Sequence, residues 1–257
     1  ECGTIVLARG ELDGAAREID RAVAAWRAAK TGVLGRGLVV QGRLQTAQGR
    51  YAQAERTLAE AGPAVAAVWG EKSALHADVL VQQGRLRLAQ GDADGASALF
   101  RRVLKEWPHK ADETPMPRVQ AQLGLVRASL LAGDPASAQD GAQAALRQIE
   151  TDPYRPGLPD QEAEARMLLG TAMLRSGHAG QARPHLEAAV AQRLRLDAAH
   201  SPVLAEARLA LAEDLLALGL TAEAGAPRGS ATTAQTSNAA RQDGRLRAQP
   251  AAPAPQR

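Results

Sequence analysis

The stretch GRYAQA at residues 49–54 decides the fold, because similar stretches recur along the chain at nearly constant spacing. Each begins with a glycine and carries an alanine five positions later, and the alanines at 54, 96 and 138 are 42 residues apart. Such a period is typical of stacked repeats, each of which is one supersecondary unit. The further copies are GELDGA (10–15), GDADGA (91–96), GDPASA (133–138), GHAGQA (177–182) and GLTAEA (219–224).

Each copy predicts a turn between two helices. The glycine ends the first helix in a left-handed conformation that other residues adopt only at a cost, and the alanine lets the second helix pack closely. A bulky residue four positions after the alanine, and an apolar one three further on, continue the same face of the second helix. This face is predicted to be the buried seam of a helix hairpin. The residues concerned are Gly42, Gly84 and Gly170 on first helices, and Leu58, Phe100, Leu186, Ala61, Val103 and Ala189 on second helices.

Composition agrees with a helical chain. Of the 257 residues, 45% are hydrophobic and only 2% aromatic, and alanine, leucine, glutamine, glutamate and arginine dominate, all of which favour helix. We expect an all-α fold without a sheet. The repeats predict one solenoid over residues 1–226, with about six units of which the first and last are incomplete. Residues 227–257 are predicted to be a disordered tail containing alanine, proline and arginine, because they lack apolar periodicity.

The same sequence argues against several classes of function. The net charge of +3 is spread along the chain, aromatic residues are sparse, and no nucleic-acid-binding motif occurs. No apolar run approaches the roughly 18 residues needed to cross a membrane, and the single cysteine, Cys2, fits a reducing cytoplasm. The five histidines lack metal-ligand spacing, and the strings that mark kinases and phosphate loops are missing. We therefore expect no catalytic residue, metal or cofactor in this chain.

The pattern of small and bulky residues resembles the tetratricopeptide repeat family. Gly42, Ala54, Leu58 and Ala61 stand where that family places its small, small, bulky and alanine positions, and the later copies match similarly. The resemblance implies a right-handed α-solenoid. The family's usual period is about 34 residues, so the longer period here looks like the extended subtype of kinesin light chains and bacterial signalling proteins. The connectors at 69–72 and 196–202 most resemble repeat regions attached to bacterial eukaryotic-like serine/threonine kinases.

Three arginines occupy one position of the repeat. Arg43, Arg85 and Arg127 are 42 residues apart, which predicts one line along the stack. The resemblance places that position in the concave groove where the family binds peptides, with an apolar floor around it. The arginines would favour an acidic protein or peptide, since guanidinium pairs well with carboxylate. The predicted floor is Val39, Val81, Leu123 and Met167 one turn earlier, and Thr46, Leu88 and Leu130 one turn later.

A simpler interpretation of these arginines stays open at this point. Each could be a solvated helix residue or could pair with an acid of a neighbouring repeat, such as Asp78, at a gain of about 0–1 kcal/mol. For the chain as a whole, we expect a non-catalytic scaffold that binds a peptide or partner protein in the groove. Two alternatives are the sensor or scaffold region of a bacterial serine/threonine kinase whose catalytic domain is absent from this chain, and the regulatory arm of a transcription activator.

Overall fold

Ten α-helices and no strand make up the part of the chain that the structure, a computed structural model, describes: residues 12–107, 116–153, 157–197 and 201–220. The all-helical expectation is confirmed for these residues. The predicted tail at 227–257 and the incomplete unit before residue 12 lie outside them. The helices are α1 (Leu12–Ala28), α2 (Leu34–Ala47), α3 (Tyr51–Trp69), α4 (Ala74–Ala89), α5 (Ala93–Glu106), α6 (Met116–Leu131), α7 (Pro135–Thr151), α8 (Pro159–Arg175), α9 (Ala179–Leu196) and α10 (Pro202–Ala217).

The helices stack in chain order. Each helix packs on the next one along the chain, and each even-numbered helix from α2 to α8 also contacts the following even-numbered helix. The odd-numbered helices do not pack on one another to the same extent. The closer spacing on the even side makes the even-numbered helices the inner layer of the stack. This arrangement is consistent with a helical repeat.

The turns that follow the even-numbered helices α2, α4, α6, α8 and α10 share one backbone geometry. Gly49, Gly91, Gly133, Gly177 and Gly219 have φ between 72° and 82°. Beyond each glycine, the next amide bonds back across the turn; for example, Asp134 N donates to Ser129 O at 2.9 Å. The predicted left-handed conformation is thus confirmed at these five glycines, and Gly10 lies outside the described residues.

Substituting one of these glycines tests the turn geometry. Gly133→Ala is expected to lower the free energy of unfolding by about 1–2 kcal/mol, because alanine is strained at a φ of 77° although its Cβ would meet no atom within 4 Å. Gly180→Ala is the control: its Cβ also meets nothing within 4 Å, but the residue lies in α9 at an ordinary helical φ. There we expect no loss and a gain of up to about 1 kcal/mol. Urea denaturation measures both, and equal effects would contradict the argument.

The predicted seam is buried. Ala54, Leu58 and Ala61 of α3 are all 0% exposed, as are their counterparts on α5 and α9. A Cβ added to Gly42 would lie 2.5 Å from Leu58, and one added to Gly170 would lie 2.5 Å from Leu186. Cβ atoms essentially never make contacts that short, so Gly42 and Gly170 allow the two helices of their hairpins to approach.

Phe100 packs against two successive hairpins. It is the only phenylalanine of the chain and is fully buried. Its ring lies against Gly84 of α4, where an added Cβ would be 2.6 Å away, and also against Gly124 of α6. The side chain therefore fills a gap between consecutive even-numbered helices that two glycines leave open.

Candidate functional site

A cleft opens on the inner layer near its N-terminal end. It has a volume of about 460 Å³ and lies between α2, the end of α3, α4 and the start of α6. The repeat explains its position, because α2, α4 and α6 are successive even-numbered helices whose polar positions face the same side. Its walls combine charged and apolar side chains, including Arg36, Arg43, Trp69, Leu75, Asp78 and Met116.

Arg43 is the unusual group in this cleft. Its Nε atom is buried and has no hydrogen-bond partner, and its guanidinium forms no ion pair within the described part of the chain. Burial lowers the pKa of Arg43; the charge of Asp78 counteracts this, and that of Arg85 lowers it further. A partly buried cation without a bonded acceptor destabilises the folded state.

Asp78 and Trp69 form further parts of the cleft wall. Asp78 accepts a hydrogen bond at 2.9 Å from Nε2 of Gln82, one turn further along α4, so this carboxylate has a fixed orientation. Trp69, the last residue of α3, keeps 41% of its surface exposed beside it. The cleft thus offers a free guanidinium, an oriented carboxylate and an exposed aromatic ring.

The unpaired charge of Arg43 carries a prediction about stability. Arg43→Met is expected to raise the free energy of unfolding by about 1 kcal/mol, because methionine keeps the apolar stem and removes the unsatisfied guanidinium. Arg85→Met is the matched control at the same repeat position, and no gain is expected there because Arg85 acts on the carboxylate of Glu164. Urea denaturation compares the two variants. A loss of stability in Arg43→Met would show instead that the charge holds α2 and α4 together.

Arg127, the third arginine of the line, is engaged within the chain. Its Nε donates to Glu164 of α8 at 2.8 Å, and its Nη1 donates to Glu206 of α10 at 2.7 Å. Burial opposes the charged form of Arg127, but the two glutamates outweigh it and raise its pKa. Arg127 therefore clamps three even-numbered helices together.

The line of arginines consequently divides into two parts. Arg43, Arg85 and Arg127 lie at one repeat position on α2, α4 and α6, and these helices contact one another in turn, so the three residues follow one another along the inner layer. For Arg127, the structure supports the simpler interpretation of pairing with acids of neighbouring repeats. For Arg43, it shows no such pair among the described residues. Among the described residues, Arg127 is therefore held in ion pairs, whereas Arg43 and Arg85 are not.

The acids that bind Arg127 were missed in the sequence, although the repeat register marks them. A second polar position lies seven residues before the arginine position and is occupied in turn by Arg36, Asp78, Gln120, Glu164 and Glu206. Its charge therefore changes from basic on α2 to acidic on α8 and α10. The register shows which residues share this position, but only the stacking shows that Glu206 reaches Arg127 across two repeats.

Most of the residues predicted to form the apolar floor of the groove are buried, so that prediction is wrong. Val39, Val81, Leu123 and Met167 are at most 5% exposed, and Leu130 is 8% exposed; all five pack in the core, and Leu88 packs against it. They face the interior because the following odd-numbered helix covers this side of each even-numbered helix. Leu209 of α10 shows the reason: it has the same repeat position, no later described helix covers it, and it is 61% exposed. Thr46 donates to Gly42 O within α2.

The described ranges contain neither a metal site nor a membrane span. Among these residues, no group of three or more histidine, cysteine, aspartate or glutamate side chains is placed to hold a metal ion. None of the ten described helices is both long and apolar enough to span a bilayer. The cleft at Arg43 is the candidate site.

Comparison with known proteins bears on the fold. No family model matches the chain, and no curated protein matches it. The crystal structure of BtubC (BKLC) from P. vanneervenii is similar, with a TM-score of 0.60 and 17% sequence identity over 96% of this chain and 96% of that chain. At this identity, the similarity concerns the fold and not the activity. The chain has an all-helical, repeat-like fold that it shares with BtubC.

Proposed function

We propose that this chain is a non-catalytic scaffold that binds a peptide or a partner protein on its inner layer. In this proposal the repeats are tetratricopeptide repeats of the extended subtype, and the stack is a right-handed solenoid. The seam of small and bulky residues and the 42-residue period support this assignment.

The observation that carries the proposal is the cleft of about 460 Å³ between α2, α3, α4 and α6. Its volume lies within the range of ligand sites, about 300–1,000 Å³. Its lining is half apolar and half polar, so it offers both contact surface and groups that can orient a ligand. An elongated peptide could continue from it along the even-numbered helices.

Filling the cleft tests the proposal. Peptides are selected from a random library displayed on phage against the intact chain, and their binding is then measured for Gln120→Trp and Gln53→Trp. Gln120 lines the cleft, whereas Gln53 is exposed at the start of α3, outside the cleft. We expect Gln120→Trp to abolish binding by occupying the cleft and Gln53→Trp to leave it unchanged. Equal binding by both variants would place the binding surface elsewhere and overturn the proposal.

Association with a kinase stays a prediction from the connector sequences. Such an association would make this chain the part that selects or assembles substrates, and it would use the same inner layer.

A further inference from the structure

The charges around the cleft match one particular ligand group. Arg36 and Arg43 contribute two positive charges to its walls, and Asp78 contributes one negative charge. The remaining single positive charge is neutralised by one carboxylate. A phosphate group, which carries about −1.5 to −2 charges at neutral pH, would exceed this balance and would be repelled by Asp78.

Hydrogen bonding favours the same conclusion. Arg43 Nε has no acceptor among the described residues, although it is buried. A ligand carboxylate in the cleft would bond instead to the terminal nitrogens of the guanidinium, which form no ion pair among the described residues. The apolar surfaces of Trp69 and Leu75 lie along the same walls. They would accept a neighbouring apolar side chain of the ligand.

The remainder of the inner layer indicates where an acidic group would bind. Towards α8 and α10, the layer carries Glu164 and Glu206, which already hold Arg127 in ion pairs. An acidic group would be repelled there, whereas at α2 both polar positions are arginines, Arg36 and Arg43. Complementarity therefore selects the α2 end of the layer for the acid.

We infer that the cleft binds an acidic peptide segment, with one aspartate or glutamate carboxylate between Arg43 and Arg36 and an apolar side chain against Trp69 and Leu75. This inference rests on the proposed function, because it names the class of ligand for the same site.

The test uses the intact chain and the peptide library already described. Peptides are selected on the wild-type chain, on Arg43→Gln and on Arg85→Gln, and the commonest wild-type peptide is synthesised for calorimetric titration. Arg85 is the matched control because it has the same repeat position on the next even-numbered helix but does not line the cleft. Thermal unfolding of each variant, followed by circular dichroism, checks that the helices remain folded.

The expected result is that wild-type peptides are enriched in aspartate or glutamate beside an apolar residue. Arg43→Gln should weaken binding of the synthetic peptide about 10- to 100-fold, the loss typical of a hydrogen-bonded charge pair. Arg85→Gln should weaken it much less, because the charge of Arg85 reaches Arg43 but the residue does not line the cleft. Peptides that lack acids, or that bind Arg43→Gln as well as wild type, would overturn the inference and leave the proposed function standing. If no peptide is enriched at all, both fail.

Two further titrations distinguish carboxylate from phosphate. The acid of the synthetic peptide is replaced by phosphoserine in one version and by glutamine in another. On the wild-type chain, the carboxylate peptide should bind best; on Asp78→Asn, which removes the negative wall charge, the phosphoserine peptide should gain the most. If the wild-type chain binds the phosphoserine peptide more tightly than the carboxylate peptide, the inference that the cleft binds a carboxylate is wrong.

Discussion

Phe100→Ala is expected to lower the free energy of unfolding by about 3–5 kcal/mol, the usual cost of truncating a fully buried phenylalanine. The site cannot collapse easily, because the ring fills the space between Gly84 and Gly124 on two different helices, and neither has a side chain to replace it. Urea denaturation measures the loss. Leu131→Ala, at a leucine that is 47% exposed at the end of α6, is the control and should cost less than about 1 kcal/mol. Similar losses for both would contradict the assigned packing.

A second substitution, Gly84→Ala, should change the free energy of unfolding in opposite directions with and without the Phe100 ring. Gly84→Ala alone should destabilise the chain, because the three atoms nearest to the new Cβ all belong to Phe100 and the first is 2.6 Å away. In the Phe100→Ala background, the same change should stabilise by about 0.5–1 kcal/mol, since alanine is the better helix former once the ring is gone. The same sign in both backgrounds would show that the ring does not contact Gly84.

Arg127→Met is expected to lower the free energy of unfolding by about 2 kcal/mol at neutral pH. The change leaves Glu164, whose side chain is 17% exposed, without its cation. We expect less than the 3–5 kcal/mol typical of a fully buried pair, because 31% of the Arg127 side chain is in solvent. Arg102→Met is the control: it breaks an exposed pair with Glu106 one turn away and should cost less than about 0.5 kcal/mol.

The pH dependence of the same variant identifies the charge that is responsible. Burial alone would raise the pKa of Glu164, but Arg127 and Arg85 outweigh it and lower the pKa. The stabilisation is therefore complete above the pKa of an unfolded glutamate, about 4.3, and is lost as the pH falls through the lower folded value. The difference between wild type and Arg127→Met should shrink on acidification. A difference that is constant from neutral to acid pH would show that packing, and not the ion pair, was lost.

Local sequence determined the helices, the turns and the hairpin seam. Glycines such as Gly49 predict a left-handed turn, and the spacing of Ala54, Leu58 and Ala61 predicts that they share one helix face. Both predictions succeed because they depend only on nearby backbone and helix geometry. The sequence also placed Arg43, Arg85 and Arg127 at one repeat position. It could not show which of them has a partner, because partners come from other repeats.

Tertiary structure decided what each position of the repeat does. The repeat pattern predicted a groove floor at Val39, Val81, Leu123 and Met167, but the following helix covers them. Periodicity alone does not tell which side of a helix a neighbouring helix will occupy. The stacking also brings Glu206 to Arg127 across 79 residues and leaves Arg43 with an unpaired Nε. The repeat was thus determined by the sequence alone. The division of its arginines into a structural clamp and an open cleft depends on contacts between distant helices.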